Sequence, residues 1–89
     1  MSFIIIIVSP ISGSEVVLGS PIEVVASVSN PIEKVEFFSF FLKFGERVSE
    51  PYTFPFTPST TGPIELRVIG TDSDGVRIPS AAVVIVSNT

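Results

Sequence analysis

Phe37-Phe38-Ser39-Phe40-Phe41-Leu42-Lys43-Phe44 holds five of the chain's eight phenylalanines in eight consecutive positions. A strand points successive side chains to opposite faces, so a half-buried strand alternates apolar and polar residues. Here both faces come out apolar. The run also lacks the Asn, Gly or Asp that a tight turn takes. Two readings follow: the segment is buried on both sides, or one side awaits a partner. Upstream, Glu33–Phe38 reads as a strand with Val35 and Phe37 on one face. Downstream, Leu42–Gly45 reads as a short return strand.

The rest of the chain is punctuated by prolines and glycines at short intervals, with β-branched residues dominant between them. That pattern predicts an all-β sandwich or barrel. Phe3–Val8 forms a first strand, ended by Ser9-Pro10, and Glu15–Leu18 is a short extended piece. Ile22–Ser29 places Ile22, Val24, Ala26 and Val28 on one face. Tyr52, Phe54 and Phe56 recur at period 2 between Pro51 and Pro58, with Tyr52 assigned to the core. Pro55 removes a ladder donor inside that run, which puts the strand at an edge or on a bulge. Ile64–Thr71 aligns Ile64, Leu66, Val68 and Gly70, and a last strand lies near Ala81–Val86. The expectation is one domain over residues 1–89, a seven-stranded antiparallel β-sandwich.

Bulk composition narrows the chemistry. Eighty-nine residues make a small domain, and without cysteine neither a disulfide nor a thiolate metal site supports it. Stability must come from apolar burial, and a mean hydropathy of +0.61 supplies it. Net charge is −4, with Lys34, Lys43, Arg47, Arg67 and Arg77 scattered singly. That distribution offers no basic stripe for phosphates and argues against nucleic acid. No segment reaches the roughly 20 apolar residues of a spanning helix. Phe3–Val8 is too short for a signal h-region and lacks a basic flank, so no signal peptide is read.

Several short motifs then fall in a telling order: Ser9-Pro10 with Gly13, Gly19-Ser20-Pro21-Ile22, Lys34-Val35-Glu36-Phe37-Phe38, Pro51-Tyr52-Thr53-Phe54, Thr57-Pro58 and Thr71-Asp72-Ser73-Asp74-Gly75. Together they resemble the bacterial immunoglobulin-like domains of secreted glycoside hydrolases and surface adhesins, over nearly the whole chain. The resemblance implies a seven-stranded immunoglobulin-like sandwich serving as spacer, stalk or binding module, of secreted or cell-surface origin. It does not imply catalysis. Family members carry something like Tyr-x-Asn-Gly after the third strand, where this chain has Phe38-Ser39-Phe40-Phe41. Their outward strand positions are typically Thr or Ser, where this chain has Ile4, Ile6, Val8, Val25, Val84 and Val86.

In the usual topology of such domains, the third, return, sixth and last strands share one sheet. Its outer face would carry Phe38, Ile69, Val84 and Val86, with Phe40, Phe41, Leu42 and Phe44 at or near the adjoining turn. Each such side chain is worth about 1.5–3 kcal/mol when buried, and together they exceed what a monomer leaves wet. These eight residues are therefore the candidate interface. The bland alternative is a plug, with Phe40, Phe41 and Leu42 folded back over the open end of the core. The outward valines favour the interface. A homodimer is the simplest occupant, followed by a different protein. A membrane surface is disfavoured by the acidic charge, and a carbohydrate by the absence of Trp. Glu36, Lys43, Glu46 and Arg67 are assigned to the rim. The greasy outward positions also fit deliberate engineering of an interface on a natural-like scaffold. The first strand, if exposed, could pair edge to edge and mimic a specific dimer.

No histidine or cysteine is present, which removes the common nucleophile–base pairs. Glu33 and Glu36 are read as solvated charges. Asp72 and Asp74 are weak calcium candidates, and a turn bonded to nearby backbone donors is the preferred reading. The sequence thus points to no cofactor and no enzyme, but to protein association, with a structural spacer from a multidomain secreted protein as the rival.

Overall fold

The computed structural model describes residues 3–89, and every regular element among them is a strand. In chain order these are β1 (Ile5–Ser9), β2 (Glu15–Val17), β3 (Ile22–Val28), β4 (Lys34–Ser39), β5 (Leu42–Arg47), β6 (Thr53–Phe56), β7 (Gly62–Thr71), β8 (Arg77–Pro79) and β9 (Val83–Asn88). One sheet has the order β1-β3-β6. The other runs β2-β9-β7-β4-β5, with β8 paired to the end of β7. This is the expected immunoglobulin-like sandwich, with the third, return, sixth and last strands of the sequence reading in one sheet.

Nine strands stand where seven were expected. The two additions are three residues each: β2 is the short extended piece expected at Glu15–Leu18, here paired as a strand, and β8, too short to show a period, ends on Pro79. The ladders are also not all antiparallel, because β2 pairs with β9 in parallel. A sheet switch causes this: β1 belongs to the small sheet, and past Ser9-Pro10 the chain crosses to the edge of the large one. β9 runs Val83–Asn88 where Ala81–Val86 was expected, and β7 starts at Gly62 where Ile64 was expected, shifts of two residues.

The core forms where two period-2 stripes face each other. Val35, Phe37, Ile64, Leu66, Val68 and Ile85 come from the large sheet, and meet Ile5, Val24 and Ala26 of the small sheet with Phe3 and Tyr52 beside it. Pro55 lies on β6, an outer strand, where a missing donor is tolerated. Close approach explains Gly70, since a Cβ there would lie 2.8 Å from the Phe3 ring.

Phe3 therefore marks the Gly70 end of β7, while Ser87 of β9 pairs with Gly62 at its other end. At ~3.3 Å per residue the two ends are about 26 Å apart. The chain enters and leaves this 43 × 20 × 18 Å body at opposite ends.

Candidate functional site

The β4–β5 hairpin closes through Phe40-Phe41, with Ser39 opposite Leu42. A two-residue loop matches the strand twist only with positive φ at its first central residue or at both, which is why Gly and Asn dominate there. Phe40 adopts φ 54°. This chain thus makes a tight two-residue turn with a phenylalanine where glycine or asparagine is comfortable. The result is a protruding apolar tip: Phe41 is 92% exposed, Leu42 77% and Phe40 51%. Phe41 does not fold over the core, so the plug is not the arrangement adopted.

Behind the tip lies an open groove of about 450 Å³, lined by Phe40, Leu42, Phe44, Phe56 and Ile64 with the Ser59-Thr60 loop as its far wall. It exposes the end of the sandwich core. A second opening, about 380 Å³, lies at the opposite end against Ile32, Glu50 and Tyr52.

Phe44 is a correction to the expected interface. It turns inward, its ring 5.0 Å from Phe56, 6.0 Å from Phe54 and 6.1 Å from Phe37. The cause is a bulge: Phe37 pairs with Gly45 and Phe38 with Lys43, so Phe44 is the extra residue and alternation slips by one.

Phe38, Ile69, Val84 and Val86 do lie on the outer face of the large sheet, but not as one patch. Phe38 is half-buried between Lys43 and Arg67, and Ile69 between Glu36 and Pro79. Val84 stands opposite Glu65, and Val86 between Pro63 and Glu15. The Glu65–Arg67 pair, 3.6 Å apart on β7, separates Phe38 from the two valines.

Glu36 is the centre of that face and not its rim, nor a solvated charge. It is only 7% exposed. Lys43 Nζ lies 3.0 Å from one carboxylate oxygen, Arg77 3.1 Å from the other, and Lys34 4.0 Å away. Burial pushes its carboxyl up, but the hydrogen bonds from Lys43 and Arg77 and the charges of Lys43 and Lys34 together hold it below the ordinary value. Lys43 is held up in turn by Glu46 and Glu36. Sequence reading missed this cluster because its members come from β4, β5 and β8.

Asp72 uses its carboxylate locally. One oxygen accepts the N–H groups of Asp74 and Val76, both at 2.9 Å, and the backbone closes around it from Gly75. The turn reading accounts for this oxygen of Asp72, while its other oxygen is buried without a partner and Asp74 contributes its backbone N–H. Among the described residues no three His, Cys, Asp or Glu side chains gather as a metal site.

The chain is similar to the solved fibronectin(III)-like modules of Clostridium thermocellum CbhA: 29% identity, a TM-score of 0.88, and 94% of each chain covered. Six solved chains match in all. A search of the curated proteins gave no match. The family model described as "Bacterial Ig domain" matches residues 4–68, well over half of the sequence. On that match the chain belongs to the bacterial Ig domain family.

Proposed function

We propose that this chain is a non-catalytic spacer or accessory module of a secreted or cell-surface bacterial protein. One observation carries the reading: entry and exit lie at opposite ends of an elongated 43 Å body, the geometry that strings modules in a line. Membership of a family whose modules are generally non-catalytic supports it, as does likeness to fibronectin(III)-like modules along 94% of the chain. Small-angle scattering on two copies joined end to end tests it. The expected particle is about twice the length of one module, and a pair folded side by side would overturn the reading.

A second reading, association through the hairpin tip, is favoured by the 92% exposure of Phe41 beside an apolar groove. A second copy is the occupant this reading names, each Phe41 seated in the other's groove. Absolute mass by light scattering over a dilution series tests it. A discrete dimer that Phe41→Asn with Leu42→Gly abolishes supports the reading, and a clean monomer removes it.

A further inference from the structure

The outer strands of the two sheets are guarded unequally. β6 has Pro55 inside it, and β5 carries Lys43, Glu46 and Arg47. β2 is three residues long with Glu15, and β8 is three residues ending on Pro79. Proline, charge and shortness are the means by which sheets avoid unwanted pairing. β1 has one guard only, a bulge at Val8, between the pairs Ile7–Ala26 and Ser9–Val25, which leaves the edge regular up to Ile7. From Phe3 to Ser9 it carries neither charge nor proline, and its partner on one side only is β3.

Its hydrogen bonding shows which groups face the open edge. Ser29 N–H donates to the Ile4 carbonyl, and Ile4 N–H donates to Ser29 Oγ. Ile4 is therefore bonded toward the β3 side. Antiparallel alternation gives Ile6, opposite Ser27, the same role, and turns the N–H and C=O of Ile5 and Ile7 outward along the edge. Side chains alternate the other way: Ile5 is in the core, while Ile4, Ile6 and Val8 are 69%, 51% and 50% exposed.

We infer that the open edge of β1 is a self-association site whose occupant is β1 of a second copy, added antiparallel. Ile5 exchanges backbone bonds with Ile7 of the second copy, and Ile7 with its Ile5, about a two-fold axis at Ile6. In that register Ile6 faces Ile6, and Ile4 lies toward Val8, where the bulge ends the regular pairing. The exposed side chains of both copies then close into one apolar ribbon across a continuous sheet. The strand is its own complement, which is why a second copy is named over a foreign peptide. A strand this short buries less than the roughly 1,200 Å² of a stable interface. The dimer is accordingly weak and forms where modules are crowded. This goes beyond the spacer reading and uses the small sheet, away from the hairpin tip.

The test is sedimentation velocity of the whole chain over a concentration series, with residue-resolved amide exchange. The wild type is expected to pass from monomer to dimer as concentration rises, with the Ile5 and Ile7 amides gaining protection and those of Ile4 and Ile6 unchanged. Ile6→Lys should weaken dimerisation about tenfold or more and keep the fold, since that side chain points outward. Ile4→Lys does the same should Ile6→Lys fail to fold. Phe41→Asn with Leu42→Gly should leave this dimer intact, which separates it from association at the tip. A monomer at every concentration overturns the proposal. So does a dimer that survives the lysine variants with Ile5 and Ile7 still exchanging freely, or open-ended growth, because pairing of the edge consumes it.

Discussion

Phe40 holds a backbone conformation that suits glycine, and a side chain with a Cβ pays roughly 1–2 kcal/mol for it. The usual preference for alanine over glycine should therefore reverse at this position. Phe40→Gly is expected to be more stable than Phe40→Ala by about 0.5–1 kcal/mol in urea unfolding; the ordinary order would show that the turn is not strained. Gly45 is the opposite case, a glycine needed for space. A Cβ there would lie 2.5 Å from the Phe54 ring. That ring has little room to retreat, with Arg47 5.2 Å above it and Phe37 and Phe44 at 5.9 and 6.0 Å. Gly45→Ala should cost about 1–3 kcal/mol, and wild-type stability in that variant would mean the aromatic cluster repacks freely.

At the scale of elements, the β4–β5 hairpin and its ion cluster decide the character of the large sheet. Glu36 binds its proton less tightly in the folded chain than in the unfolded one. Its contribution is thus full above about pH 4.5, the ordinary carboxylate value, and is lost as pH falls below that toward the folded value. Lys43 and Arg77 are partly solvated, so solvent screens the effect and keeps it small. Glu36→Gln should melt lower at neutral pH and lose less on acidification than the wild type; parallel acid limbs would remove Glu36 as the cause. The inward stripes on β3, β4 and β7 were legible in the sequence because period 2 is strict there. The face of Phe44 was not, because a bulge shifts alternation without any local residue signal. The turn at Phe40-Phe41 was hidden by residues foreign to turns. Glu36 looked solvated because its partner Arg77 lies 41 positions away and only β8, itself too short to read, brings it near.

For the whole molecule, the hairpin tip and the chain's exit lie at the same end. The Phe40 N–H donates to the Glu65 carbonyl on β7, and β9 leaves past Gly62 on that same strand. A module placed beyond the exit therefore meets Phe40, Phe41 and Leu42 first. The tip side chains contribute little to their own core, being 51–92% exposed, so Phe41→Asn with Leu42→Gly should keep the fold, at a cost of at most about 1 kcal/mol for a glycine at the first residue of β5. Apolar contact across a junction restricts bending, and burial of each such side chain is worth about 1.5–3 kcal/mol. In two copies joined end to end, the substitution in the first copy should broaden the distribution of end-to-end distances measured between dyes at the outer ends. An identical distribution would show that the tip does not brace the junction. In that case contact with a separate chain is the reading left to test, and the dilution series on the single module becomes the decisive measurement.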